Sequence, residues 1–229
     1  MKVRAVTLDF GGTLDGSDHW RARFWRLYES EGLAGDAEAF ARAFGAATRA
    51  AYAEPALRRA DLPALVRYHV EQQHKELALP FRRASERIVE QFVADARRRL
   101  HAHAAVLERW RRCVRLGVIS NFYGNLPVLL AREGMASLFD VIVDSNLVGT
   151  RKPERAIFEL ALEGLGVRPV EAIHVGDSLE HDVLGARQAG LHAAWLRPAE
   201  RGEEYALPAN VICLGALVEL EEHVSWTQQ

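Results

Sequence analysis

The chain has 229 residues, 49% of them hydrophobic and 26% charged, and a formal net charge of -2. That length holds one good core, or a core with a smaller insert. The charge balance excludes a global field that would draw in nucleic acid or an anionic membrane.

Residues 3–8 form a short, mostly apolar run ending at Asp9, the pattern of a buried strand. Gly11 and Gly12 then break regular structure. From about residue 18 to 103 the rhythm is helical. Trp20, Phe24, Leu27 and Tyr28 recur at helical spacing, followed by Phe40, Phe44, Ala47 and Ala51. Leu62, Leu65, Val66 and Val70 continue it, then Ile88, Val89, Phe92, Val93 and Ala96. About four amphipathic helices follow one another with no strand between them. Trp20, Phe24 and Tyr28 are expected to pack in the core of this segment. The basic run Arg97-Arg98-Arg99 is expected to be a solvated helix face.

After about residue 105 strands and helices alternate. Strands are expected at 114–119, 139–143, 172–175, 193–196 and 211–214, and helices at 126–133, 153–165, 179–189 and 216–223. Such alternation gives a parallel sheet with helices on both faces. The fold class is therefore α/β: a Rossmann-like three-layer parallel sheet core, residues 1–16 and 105–229, with an inserted α-helical cap at 17–104. Cys113 and Cys213, far apart in apolar surroundings, are expected as buried free thiols of a reducing compartment. The chain enters a strand at once, without a leader-like opening, and has no apolar run of transmembrane length. A cytoplasmic protein is the expectation, with no nucleic-acid or membrane partner. Oligomeric state leaves no mark in the sequence.

Open parallel sheets bind ligands at the carboxyl ends of their strands. Asp9, Ser120 and Asp177 each fall at a strand end or within two residues of one, and Lys152 immediately precedes a helix-starting Pro153. A carboxylate such as Asp9 can attack phosphorus and form an aspartyl phosphate, splitting one hard step into two. Asp9 with Asp177 supplies oxygen ligands of the kind Mg²⁺ takes. Asp182, an acid in a helix's first turn, joins that cluster one step back from the ion. Lys152 is placed to neutralise phosphate and the Asp9–Asp182 pair. The Ser120 hydroxyl, with backbone N–H groups of Asn121 and Phe122, suits phosphoryl oxygens. Gly12 permits a tight turn, and Thr13 is expected to hydrogen-bond Asp9 or its loop. His101 and His103 point in different directions on a helix, and His174, inside a strand, reads as a packed core residue.

At these residues the chain resembles the haloacid dehalogenase-like superfamily of hydrolases, most of which are Mg²⁺-dependent phosphatases. The likeness covers about 1–16 and 105–229. It rests on Asp9-Phe10-Gly11-Gly12-Thr13, Ser120, Lys152-Pro153 with Ile157-Phe158, and His174-Val175-Gly176-Asp177-Ser178 with Asp182. The resemblance implies Asp9, Ser120 and Lys152 as catalytic residues. It implies Asn121, Gly12 and Thr13 around the phosphate, and Mg²⁺ held by Asp9, Asp177, Asp182 and the main-chain carbonyl of Gly11. It also implies a small phosphorylated substrate and a cap that closes over the site.

The family pattern has a second Asp where this chain has Gly11. That Asp protonates the leaving oxygen and then activates water. General acid–base catalysis of this kind is worth ~10²–10⁴ in rate. Three functions follow. One is a phosphatase with a substitute acid, Asp15, Asp18 and His19 being nearest, or with a substrate whose leaving group needs no proton. Another is a dehalogenase-like hydrolase attacking carbon. The third is a binding protein that keeps the fold and metal site without turnover.

Overall fold

The computed structural model describes residues 1–16, 18–197 and 211–226. Its strands are β1 (Lys2–Val3), β2 (Ala5–Leu8), β3 (Arg115–Ser120), β4 (Val141–Asp144), β5 (Ala172–Gly176), β6 (His192–Leu196), β7 (Val211–Leu214) and β8 (Ser225–Trp226). The helices are α1 (Trp20–Ser30), α2 (Ala37–Ala53), α3 (Leu62–Glu76), α4 (Arg83–Trp110), α5 (Leu126–Arg132), α6 (Ser145–Val148), α7 (Arg155–Leu165), α8 (Gly185–Gln188) and α9 (Leu220–His223).

Six strands form one parallel sheet in the order β4-β3-β2-β5-β6-β7, and β1 pairs with β8 beside it. Strands covered on both faces read as near-continuous apolar runs, and all four residues of β2 are buried. The two-residue period then divides the side chains. Val6, Leu8, Val118 and Val175 join one apolar cluster with Leu107 and Trp110 of α4. Ala5, Ile119 and Ala193 join the other with Ile157 and Phe158 of α7. The strand order turns at β2, which lies between β3 and β5. The crevice at the carboxyl ends of these three strands is where such a sheet accepts ligands.

The helical segment lies between β2 and β3, as the periodicity implies. Its interior is aromatic: Phe24 stacks on Phe92 with centroids 4.3 Å apart, and Tyr28 meets Phe40 at 5.0 Å. Fully burying a side chain of this size contributes about 1.5–3 kcal/mol. Caps fix the entries: the Asp36 carboxylate accepts from Ala39 N–H at 2.7 Å and Asp61 from Ala64 N–H at 3.0 Å. The expected opening at residue 17 falls outside the described residues. At the other end α4 runs unbroken past residue 104 to Trp110.

Other boundaries also move. The first apolar run splits at Arg4, whose N–H donates to Glu171 at 2.8 Å and whose carbonyl accepts from Arg115. The 179–189 helix opens as a wide π turn over Leu179–Leu184 before α8. Arg97, Arg98 and Arg99 are a solvated face, paired with Glu133 and Asp95. The cysteines are free, but Cys113 is half-buried and Cys213 exposed. The expectation of two buried thiols fails at Cys213 because β7 lies at the edge of the six-stranded sheet, where its short run meets solvent. Among the described residues no helix is long and apolar enough to cross a membrane.

Candidate active site

Asp9 follows β2, Ser120 ends β3, and Asp177 follows β5. Because these strands are adjacent and parallel, their ends share one rim. The three carboxylates of Asp9, Asp177 and Asp182 lie within 4.8 Å of one another. Lys152 is inserted among them, 2% exposed, with Nζ donating to Asp9 Oδ1 at 2.6 Å and to Asp182 Oδ1 at 2.5 Å. Ser120 Oγ donates to Asp9 Oδ1 at 2.9 Å. Asp9 Oδ2 accepts no hydrogen bond among the described residues.

Lys152 is held from behind. Its main-chain N–H donates to Asn121 Oδ1 at 2.8 Å, and its carbonyl accepts from Asn121 Nδ2 at 3.0 Å. Asn121 therefore clasps the loop after β4 to the end of β3. Asp182 is saturated. Besides Lys152, it accepts from Ser178 N–H at 2.9 Å and stands 3.3 Å from His174 Nε2. His174 Nδ1 lies 3.0 Å from Thr7 Oγ1, its lateral neighbour in the β2–β5 register.

The electrostatics follow from this packing. Burial lifts Asp9 to about 6, against the pull of Lys152. Burial, with the negative charges of Asp182 and Asp9, holds Asp177 well above the usual carboxylate range. Asp182 moves the other way: burial would raise it, but Lys152 and His174 outweigh burial. Lys152 is opposed by burial as well, yet Asp182 and Asp9 push its ammonium up to about 12. One lysine among three clustered carboxylates, two of them buried, leaves net negative charge in a low-dielectric site, which a cation would relieve. Asp9 and the Asp177 carboxylate, to which no side chain donates among the described residues, fit oxygen ligation of a divalent ion.

The turn after Asp9 is built by Gly12, whose φ of 86° belongs to the left-handed region. A Cβ there would meet Asp177 Oδ2 at 2.6 Å. Gly12 N–H donates to Asp15 Oδ1 at 2.8 Å. Gly11 differs: its φ and ψ, -76° and 112°, suit any residue.

Several expectations need correction. The Thr13 hydroxyl is fully buried and without a hydrogen-bond partner among the described residues, so it bonds neither Asp9 nor the loop. Its turn points the side chain inward under the loop. The Phe122 N–H is taken by Ser145 Oγ at 3.1 Å and does not face a phosphate. Asp15 is fully buried and receives Gly12 N–H, Trp20 Nε1 at 2.6 Å and Arg23 at 2.8 Å. Asp18 is paired with Arg26 at 2.7 Å. His174 packs in the core as expected, but it also supports Asp182. That link was hidden because the sequence does not display which residue of β2 lies beside it.

A cavity of about 570 Å³ opens above this floor. Gly11, Lys152, Asp9 and Asp177 line its base, and its walls include His19, Trp20 and Tyr52 from the helical insertion. Phe24 and Tyr28 are core, as expected, while Trp20 serves both core and wall.

The chain is 36% identical over 121 residues to the pyrimidine 5'-nucleotidase YjjG of Escherichia coli, covering 52% of this chain and 53% of that protein. It is 38% identical over 104 residues to a phosphoserine phosphatase of Thermus thermophilus, covering 45% and 42%. These matches thus span about half the length of the curated relatives. The fold is similar to that of the HAD-hydrolase YfnB from Bacillus subtilis, solved bound to magnesium. The TM-score is 0.61 at 17% identity, over 97% of this chain and 99% of that one. A family model of the haloacid dehalogenase-like hydrolases matches residues 3–190. With the acidic rim, the bridging lysine and the helical insertion after β2, that match shows that the chain belongs to the haloacid dehalogenase-like hydrolase family.

Proposed function

We propose that this protein is a Mg²⁺-dependent phosphatase acting on a small phosphomonoester through an aspartyl-phosphate intermediate. The observation that carries the reading is the clustered triad Asp9, Asp177 and Asp182 with Lys152 as its bridging cation. Carbon attack on a haloacid, which needs no ion, would leave the Asp177 carboxylate without a counter-charge. A pure binding protein would not need a nucleophile kept on a bonded leash by Ser120 and Lys152.

In this reading Asp9 Oδ2 forms the new bond to phosphorus and the ester P–O bond breaks, its electron pair leaving with the alcohol oxygen. Water then attacks the same phosphorus, releasing inorganic phosphate and restoring the Asp9 carboxylate. Ser120 and Lys152 fix Asp9 Oδ1, so that Oδ2 is the attacking atom. Asp9, Asp177 and the Gly11 carbonyl would hold Mg²⁺, with Asp182 acting through Lys152. The ion's chemistry there is charge neutralisation of the phosphoryl oxygens.

Gly11 cannot supply the proton to the leaving oxygen. Of the three nearby candidates, Asp15 and Asp18 are committed to ion pairs, and only His19 lines the cavity. His19 Nδ1 accepts the Arg21 N–H at 3.2 Å. Good leaving groups such as acyl or anomeric phosphates fit this arrangement best. A phosphomonoester panel with Mg²⁺ tests the reading. Phosphate release well above an Asp9→Asn control is expected, and a panel with none above that control would remove the phosphatase assignment.

A further inference from the structure

The cavity is divided by charge. Every carboxylate that lines it, Asp9, Asp177 and Asp182, belongs to the floor, where Lys152 is also held. Two further cations line it, Arg21 and Arg151, and both are exposed. Nearby arginines are paired with carboxylates. On α1, Arg23 is paired with Asp15 and Arg26 with Asp18. Two residues beyond Pro153, Arg155 starts α7 paired with Glu159 at 2.6 Å. Among the described residues Arg21 and Arg151 have no carboxylate partner. These two are also the arginines that border the cavity.

Arg151 is not loose. Its Cζ lies 5.6 Å from the centroid of the Tyr52 ring, a cation–π placement. Tyr52 is itself fixed, its carbonyl accepting from Asn146 Nδ2 at 3.1 Å and its ring lying 4.9 Å from that of Tyr123. Phe44, Thr48 and Tyr52, four residues apart, set one stripe of α2 along the cavity wall. The insertion thus presents an aromatic and hydroxylic wall without an acid, and Arg21 and Arg151 line the same cavity.

Resting on the phosphatase reading, we propose that Arg21 and Arg151 bind a second anionic group of the substrate, a carboxylate or a further phosphate, remote from the phosphoryl group attacked by Asp9. Ser120 and Lys152 meet the phosphoryl group at the floor, where the ion would also be held. The arginines meet the far end. A planar guanidinium fork matches either oxyanion in bidentate geometry. The substrate class is a short phosphorylated acid or a bisphosphate, small enough for a cavity of about 570 Å³.

The test compares three Mg²⁺-dependent substrates of equal chain length: a phosphorylated hydroxy acid, the corresponding bisphosphate, and the alkyl phosphate without a second charge. The wild-type protein is expected to favour one charged ester over the alkyl phosphate by roughly tenfold or more in kcat/KM, the scale of one charge-assisted hydrogen-bond pair. Whichever ester shows the larger ratio identifies the second group. In the double variant Arg21→Gln/Arg151→Gln the preference should collapse, mainly through KM. Arg21→Lys/Arg151→Lys should restore part of it. Asp9-dependent release with no preference, or a preference that survives the double variant, overturns the inference and leaves the phosphatase reading intact. Equal losses on charged and uncharged esters would show that the arginines contact the attacked phosphate, which also overturns it. No release from any of the three overturns the inference, and no release from an acyl phosphate either, over the Asp9→Asn control, removes the phosphatase reading as well.

Discussion

The indole of Trp20 lies directly beyond Gly11: a Cβ built on that glycine would stand 3.6 Å from Trp20 Nε1, at ordinary contact distance. Since Gly11 also has dihedral angles open to any residue, Gly11→Ala should change stability by less than about 1 kcal/mol and keep Mg²⁺ affinity. Gly12→Ala is the opposite case. Its positive φ and its contact with Asp177 should cost about 1–3 kcal/mol and displace a metal ligand. Denaturant titration with and without Mg²⁺ separates the two. Equal effects would contradict this account of the turn. Gly11→Asp should raise activity more on poor leaving groups than on good ones, by a margin limited by the indole its carboxylate must pass.

Lys152→Met removes the cation shared by Asp9 and Asp182. Breaking such a buried pair costs about 3–5 kcal/mol, and turnover should fall to the level of Asp9→Asn. Added Mg²⁺ should stabilise this variant more than the wild type, because the uncompensated negative charge is larger. A smaller response to Mg²⁺ would contradict the charge balance drawn here.

Asp177→Asn should raise the stability of the metal-free protein, since it deletes a buried charge that Asp182 and Asp9 oppose. It should also abolish the metal response. In the wild type, Mg²⁺ at one hundred times its dissociation constant adds about 2.7 kcal/mol. Thermal unfolding with and without Mg²⁺ reads both effects, and an unchanged metal shift in Asp177→Asn would place the ion elsewhere.

His69 predicts an acid-sensitive fold. It is fully buried on α3, its Nε2 lies 2.8 Å from the Tyr123 hydroxyl, and burial lowers its pKa to about 3. Between about 6.5 and 3 the unfolded chain binds a proton at this residue that the folded chain refuses. Stability is therefore complete above 6.5 and falls as pH drops, by up to about 1.4 kcal/mol per pH unit. Burial lowers His74, His103 and His174 in the same direction. His69→Gln should be less stable than wild type at pH 7, with the gap narrowing at pH 5. A constant gap would show that His69 does not contribute to the slope.

The floor of the site was legible because a parallel sheet sends every strand end to the same rim. Asp9, Ser120 and Asp177 could be placed there from apolar runs alone, and Lys152 from the proline that follows it. What lay beyond reading was lateral. The bond from His174 to Thr7 depends on the register between two strands separated by more than 160 residues of chain. The fate of Asp15 depends on Arg23 and Trp20 folding back over it. Thr13 looks like a loop hydroxyl in sequence, and only the tight turn at Gly12 shows that it points inward. The wall of the cavity was hidden for the same reason: Tyr52 and Arg151 come from the insertion and the core, and nothing in either segment announces the other.

The helix α4 continues for 28 residues from the insertion to the loop that enters β3, a rod of about 42 Å. Partway along it, His103 Nδ1 lies 2.8 Å from the Leu14 carbonyl, in the turn that follows Asp9. Arg23, held by Asp15, reaches the same rod at Asp95. The helical insertion is thus tied, through His103 and Arg23, to the turn that follows the nucleophile, so that one rod braces both the cavity wall and the loop after Asp9.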